Sequence, residues 1–352
     1  MQSPANLIAF GVSVGIVALS TVLLVTGRDI LIPLAISVVI WYLLDALVRL
    51  FGRVRIASWR LPGWVGLPAA LITIVVFLVA IGTMIGDNIV QVIEAAPGYQ
   101  ANLERLIAGI AAFFGLSQVP QLSQVMGELD LRQLASNFAA AATGIVGNAG
   151  IIFIYVLFLM IEQRSFDQKM KAMFAESGRE EEFRALLHHM QSQIQSYLWI
   201  KTVMSLATGA ISFVILLLVG VDFAAFWAFV IFLLNFIPTI GSLLGVIFPA
   251  LLTLVQFGSP IPFVIVVAAL GVTQMTIGNF IEPRVMGSTL NLSPLVVILS
   301  LVIWGSLWGI VGAILCVPIT VIGMIVFAHF EKTRPIAVLL SGNGKISLAK
   351  SA

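Results

Sequence analysis

Charged residues are scarce in this sequence, and their scarcity excludes most soluble folds. Only 10% of the 352 residues are charged, 60% are hydrophobic, and the formal net charge is +2. A soluble domain uses about a quarter of its residues as charges to cover its surface. The charge is nearly balanced, and no basic stripe lies outside the membrane-flanking loops, so we predict no nucleic-acid partner.

Cysteine and the common catalytic signatures are missing as well. The single Cys316 excludes an intramolecular disulfide and a CxxC metal or redox motif. The sequence has no HExxH zinc motif, no GxSxG nucleophile elbow and no Walker A loop. We therefore predict no enzymatic activity, no cofactor and no bound metal. Any transport would have to follow a gradient, because nothing here binds a nucleotide.

Long apolar runs fill the sequence instead. A helix needs about 20 apolar residues to cross about 30 Å of hydrocarbon. We predict an all-α, polytopic bundle of about eight transmembrane helices. The predicted spans are Ala5–Thr26, Ile30–Phe51, Pro62–Gly86, Ala139–Ile161, Thr202–Val219, Phe223–Phe257, Pro262–Ile281 and Pro294–Phe330.

Polar segments between the spans set the predicted domain organisation and orientation. Spans one to three occupy residues 1–86, span four 139–161, and spans five to eight 202–330. The remaining segments are an outer amphipathic helical segment (87–138), an inner one (162–201) and a tail (331–352). Lys and Arg cluster after the second and fourth spans and in the tail, which predicts that these regions and both termini are cytoplasmic.

The sixth and eighth runs are too long for one straight span. Each has about 35 residues, or about 52 Å of helix. Glycine and proline interrupt both runs, and proline removes an intrahelical hydrogen bond. Each run is therefore either a kinked helix or two pieces folded as a hairpin. The interrupting residues are Pro238, Gly241, Gly245 and Pro249 in the sixth run, and Gly305, Gly309, Gly312 and Pro318 in the eighth.

The middle of the sixth run is the strongest candidate site. Pro238 breaks the helix, Gly241 and Gly245 remove side-chain bulk, and Asn235 offers a donor and an acceptor at the break. Broken spans of this kind are the best sequence indication of a transporter's binding site. The alternative is tight helix packing through the Gly241-xxx-Gly245 pair, and the two interpretations are compatible.

Polar residues on the seventh run extend this candidate pathway. Gln274, Asn279 and Glu282 follow one another on an otherwise apolar span. An ionisable residue at membrane depth is a functional candidate by default. Pro283 and Arg284 follow in the predicted coil after the helix, where Glu282 can pair with Arg284.

In these residues the sequence resembles the autoinducer-2 exporter family of bacterial and archaeal membrane proteins, along nearly its whole length. The similar stretches are Asn235 to Gly241 with Pro249, Glu282 to Gly287, Leu292 to Val297, Gly309 to Pro318, Leu31 to Asp45, and Tyr197 to Lys201. The resemblance implies a multi-pass protein of the cell inner membrane. It also implies export of the quorum-sensing signal autoinducer-2 or, as in other members, sodium–proton antiport, and assembly as a homo-oligomer.

Three functions therefore stand as hypotheses. The first is an exporter of a small polar solute, bound by hydrogen-bonding groups without a buried countercharge. The second is a cation–proton antiporter, which needs a carboxylate near the membrane midplane. The third is a membrane scaffold or regulator, whose support would be the two amphipathic segments.

Overall fold

The computed structural model describes most of the chain, with short gaps between the described ranges. The described residues are 4–53, 55–56, 59–60, 63–113, 131–174, 180–287 and 291–345. Residues 114–130 of the predicted outer segment and 175–179 of the inner segment lie outside them.

Helices make up nearly all of the described structure, which confirms the all-α prediction. The helices are α1 (Pro4–Thr26), α2 (Arg28–Arg53), α3 (Gly63–Phe113), α4 (Leu131–Phe174), α5 (Glu180–Val219), α6 (Ala224–Leu234), α7 (Ile240–Phe257), α8 (Pro260–Gln274), a π-helix (Met275–Ile281), α9 (Glu282–Met286), α10 (Pro294–His329) and α11 (Arg334–Leu340). Two-residue strands, β1 (Arg55–Ile56) and β2 (Trp59–Arg60), pair antiparallel between α2 and α3.

Each of the eight predicted spans coincides with a helix or with a pair of helices. By length and composition, five helices of the described chain are able to cross a membrane, or six if a bent pair within α4 counts as one span. Two shorter apolar helices cover Val14–Thr26 and Ala224–Leu234. The protein is therefore a multi-pass membrane protein.

The predicted surface segments continue the helices of their neighbouring spans. Residues 87–113 form the second half of α3, whose 51 residues extend for about 76 Å at the helical rise. Residues 162–174 continue α4, and residues 180–201 form the first half of α5. Within α4 a bend of 61° separates Ala149–Gln163 from Gln168–Phe174.

The chain forms two compact units. The first comprises residues 1–43, 148–195 and 290–352, and the second comprises residues 44–147 and 196–289. Apolar side chains from α5, α6, α7, α8 and the turn after α5 form the core of the second unit. They are Leu216, Val221, Ile231, Ala250, Val266 and Leu270.

The sixth apolar run folds back on itself as a helical hairpin, which we call the first hairpin (Ala224–Phe257). The rings of Trp227 and Phe248 lie 6.4 Å apart between centroids. In a straight helix these residues, 21 positions apart, would be separated by about 31 Å. The hairpin alternative is therefore the observed one.

A short turn between α6 and α7 reverses the chain. Asn235 ends α6, and α7 begins at Ile240. Thr239 has a φ of 58°, a conformation that is rare for a β-branched residue and costs about 1–3 kcal/mol. A Cβ at Gly241 would lie 1.7 Å from the Leu234 carbonyl oxygen, so only glycine fits there.

The eighth apolar run is a second hairpin, formed within α10 (Pro294–His329). The Ser300 hydroxyl donates to the Cys316 carbonyl at 3.3 Å, although a straight helix would separate these residues by about 24 Å. The reversal occurs at Gly309, with φ 62° and ψ −140°. A Cβ at Gly312 would lie 1.9 Å from the Trp304 carbonyl oxygen.

Candidate functional site

The turn of the first hairpin places an amide side chain inside the second unit. Asn235 is buried, and its Nδ2 donates to the Ser205 hydroxyl of α5 at 3.1 Å. An asparagine amide has two N–H groups and a carbonyl oxygen. Among the hydrogen bonds of the described residues, only the one to Ser205 engages this side chain. The second N–H and the oxygen have no hydrogen-bond partner among the described residues.

One face of α5 carries small hydroxyl residues toward the first hairpin. Ser205, Thr208 and Ser212 are all buried, at the spacing of three and four that puts residues on one helix face. Thr208 donates back to the Met204 carbonyl at 2.8 Å. A Cβ at Gly209, on the same helix, would lie 3.0 Å from the Ala228 carbonyl oxygen. Helix α5 and the hairpin therefore pack in close contact beside this polar face.

Gln274 brings a second amide close to the hairpin. It is buried at the end of α8. Its Nε2 lies 3.5 Å from the position that a Cβ would take at Gly245, and Ile231 lies at the same distance. Gly245 therefore lies between Gln274 on one side and the opposing hairpin arm on the other.

A π-helix follows Gln274 and carries Asn279 to the surface. Met275–Ile281 has the wider π-helical winding, which is rare and is frequently found at functional sites. The Glu282 N–H donates to the Ile277 carbonyl, five residues earlier. Asn279 is exposed, so the structure does not bring it together with Asn235 and Gln274.

Glu282 is held by a different partner from the one that the sequence suggested. Its Oε1 accepts from Lys201 Nζ at 2.6 Å, and the two side chains are only 13% and 9% exposed. The expected pairing with Arg284 is wrong, because Pro283 continues as helix α9 and Arg284 is exposed. The ion pair therefore joins the start of the apolar part of α5 to the end of the π-helix. Its two residues are 81 positions apart in the sequence.

A second set of polar contacts holds the far end of the first hairpin. The Tyr99 hydroxyl donates to Asp222 Oδ2 at 2.7 Å, and Asn102 Nδ2 donates to the Gln256 carbonyl at 2.7 Å. Gln256 Oε1 accepts from the Asp222 N–H at 2.9 Å. Burial, followed by the hydrogen bond to Asp222 and its charge, raises the pKa of Tyr99. The phenol therefore stays protonated as a donor.

The remaining predicted residues belong to the two hairpins. Pro238 lies in the first turn, and Pro249 is buried in α7. Gly309, Gly312 and Pro318 belong to the second hairpin, where Gly312 and Pro318 are buried. These positions shape the reversals and the contacts between hairpin arms.

Two residues of the site escaped sequence reasoning. The sequence predicts no role for Lys201 or for Ser205. Lys201 lies at the start of a span, where the positive-inside rule expects a cation, and Ser205 is a small residue of an apolar helix. The residues next to Lys201 and Ser205 in the sequence do not indicate their partners. Each partner lies far along the chain and comes close only in the folded structure.

Comparison with known proteins gives one consistent match. The family model described as AI-2E family transporter matches residues 14–332. The AI-2 transport protein TqsA of Escherichia coli K12 is 29% identical over 323 residues, which cover 91% of each chain. Putative transport protein YhhT of the same organism is 31% identical over 336 residues, covering 90% of this chain and 95% of the relative. A putative transport protein of Haemophilus influenzae is 28% identical over 351 residues, covering 97% of this chain and 98% of the relative.

Proposed function

Because the chain belongs to the AI-2E transporter family, we propose that it exports a small, neutral, polar solute across the cytoplasmic membrane. Autoinducer-2 is the first solute to test, since the relative TqsA carries the name AI-2 transport protein. The protein is a membrane transporter; the solute and the outward direction are the proposal.

The observation that carries the proposal is the neutral polar site at the first hairpin. Asn235, Ser205 and Gln274 are buried, and all three are uncharged hydrogen-bonding groups. A buried amide is retained only where it finds partners. A solute rich in hydroxyl groups satisfies such amides without bringing a charge that the site would have to neutralise.

The ion pair argues against the antiporter hypothesis. An antiporter needs a carboxylate that exchanges a proton for a cation, and Glu282 is the candidate on the seventh run. Lys201 already neutralises it at 2.6 Å. Removing a partner from a buried pair is strongly unfavourable, so the carboxylate of the native protein is occupied.

We also propose that the protein has both termini in the cytoplasm. Eight crossings would place both termini on the same side. A hairpin that begins and ends on one side is not a crossing, so six crossings remain, and the termini still share a side. Because the first hairpin returns to the side where α5 ends, the seventh run crosses back and ends on the side where α5 begins. The pairing of Lys201 with Glu282 supports this direction, as does the pairing of Tyr99 with Asp222 at the opposite end of α5.

Solute flux from sealed vesicles containing the purified protein tests the proposed function. We expect protein-dependent release of labelled autoinducer-2. We expect Asn235→Ala to slow it about tenfold, the equivalent of one lost hydrogen bond of about 1.4 kcal/mol.

Asn343→Ala is the matched control, because the same side chain is exposed there in the C-terminal tail. No release by the folded parent would refute autoinducer-2 as the solute. Equal release by parent and Asn235→Ala would refute the site.

A further inference from the structure

We propose that the Lys201 ammonium group is a built-in substitute for a monovalent cation, and that it makes this transporter independent of sodium. The inference rests on the proposed function and deepens it, because it explains why a buried carboxylate coexists with a neutral solute site. The surroundings of Glu282 support it.

Lys201 and Glu282 form a close and largely buried ion pair. Lys201 Nζ lies 2.6 Å from Glu282 Oε1, and both side chains are nearly buried. At this distance the ammonium takes the place beside the carboxylate that a metal cation would otherwise occupy. A single positive charge at that place leaves the pair neutral.

The π-helix changes the hydrogen bonding of the Gly278 carbonyl, which lies four residues before Glu282. In an α-helix the Gly278 carbonyl would accept from the Glu282 N–H, but this N–H donates to Ile277 instead. In continued π winding the carbonyl would accept from residue 283, which is a proline and has no N–H. Both ladder donors of the Gly278 carbonyl are therefore lost.

The geometry of a helix directs the Glu282 side chain toward this carbonyl. Helical side chains point back toward the N-terminus and lie over the preceding turn. The Gly278 carbonyl lies in that turn, one helical repeat before Glu282. Unwound backbone carbonyls coordinate sodium in broken transporter helices, and the Glu282 carboxylate would add the negative charge that balances the ion.

Removing the ammonium should therefore create a sodium site. Lys201→Met keeps the length of the apolar stem and removes the charge, which leaves Glu282 buried and uncompensated. Sodium then restores the charge balance and stabilises the folded state. Lys201→Arg keeps the charge and is the matched control.

The experiment is thermal unfolding of the purified full-length protein at one fixed pH. Equal concentrations of sodium chloride and choline chloride are compared. We expect sodium to raise the Tm of Lys201→Met by about 2–4 °C. We expect no such difference in the parent, in Lys201→Arg or in Lys201→Met/Glu282→Gln.

Three results would overturn the inference. They are an equal sodium effect in the parent, no sodium effect in folded Lys201→Met, and a sodium effect that survives Glu282→Gln. Lys201→Gln serves as a second variant if Lys201→Met does not fold. Loss of folding by both variants in sodium would also refute it, since a true cation site tolerates the exchange. No solute is present, so the outcome is separate from that of the flux experiment.

Discussion

The two hairpins both reverse the direction of a long apolar run, but different residues form their turns. The first reverses over the residues between Leu234 and Ile240 and holds Thr239 in a strained conformation. The second reverses at Gly309 alone, in a conformation that glycine adopts without strain. The first turn carries a buried amide, whereas tryptophans flank the second, with Trp304 and Trp308 at 5.2 Å between centroids.

This difference separates a binding role from a packing role. Strain in a sparsely populated backbone conformation persists where the surroundings hold it, and it concentrates at functional sites. In the second hairpin, Ser300 bonds its own opposite arm at Cys316, and Trp308 Nε1 donates to the Leu24 carbonyl of α1 at 3.0 Å. Its polar groups are engaged in holding the fold together.

The largest effects should come from filling the close approaches within each hairpin. Gly241→Ala and Gly312→Ala each place a Cβ within 2 Å of a backbone oxygen, so the arms must move apart. We expect each to lower the free energy of unfolding by more than about 3 kcal/mol, measured by thermal unfolding in detergent. Gly245→Ala is the control, because its Cβ would meet Gln274 and Ile231 at an ordinary 3.5 Å. An equal loss in Gly245→Ala would contradict the described arm geometry.

Substitutions in the two turns should affect stability differently. Gly309→Ala forces a side chain into a glycine conformation, and we expect a loss of about 1–3 kcal/mol. Thr239→Gly relieves strain, and we expect unchanged or slightly higher stability, since the greater freedom of the unfolded chain offsets part of the gain. Chemical denaturation of both variants checks the pair. A stability loss in Thr239→Gly as large as that in Gly309→Ala would show that the two turns do not differ as described.

Removing a polar side chain should affect mainly stability in the second hairpin and mainly transport in the first. Ser300→Ala removes a hydrogen bond between the arms of the second hairpin, and we expect a loss of about 1 kcal/mol in stability with unchanged flux. Asn235→Ala should do more harm to flux than to stability. Measuring Tm and vesicle flux for both variants sharpens the comparison, and a flux defect in Ser300→Ala would extend the binding role to the second hairpin.

The smallest effect should come from the contact between α3 and the first hairpin. Tyr99→Phe removes the donor to Asp222, and we expect a loss of about 1 kcal/mol or less, because the group is partly exposed. Gln100→Ala is the control, since its bond to Glu104 is exposed. Thermal unfolding of the two variants side by side measures the difference, and a larger loss in Gln100→Ala would contradict the assignment.

Much of the fold could be predicted from apolar length alone. The start of α10 at Pro294 and the breaks near Pro238 and Gly309 follow from local chemistry, because proline and glycine act on their own backbone. The choice between kink and hairpin could not be predicted. It depends on contacts such as that between Trp227 and Phe248, which join distant parts of the run.

The candidate site was predicted in part for the same reason. Asn235 and Gln274 stand out as polar residues in apolar runs, and the structure buries both beside the first hairpin. Asn279 stood out equally but is exposed. The partner of Glu282 could not be read from its neighbours, since Lys201 precedes it by 81 residues.

The π-helix should allow this chain to tolerate the deletion of one residue. A π segment holds one residue more than the α-helix that would span the same turns, so deleting one residue between Met275 and Ile281 restores α winding without rotating helix α9. The same deletion within α8 would turn Glu282 by about 100° around the helix axis, away from Lys201. A deletion of one codon should therefore be accepted in this segment and rejected on either side of it. The segment would then be visible in related sequences as a shift in spacing between Gln274 and Glu282.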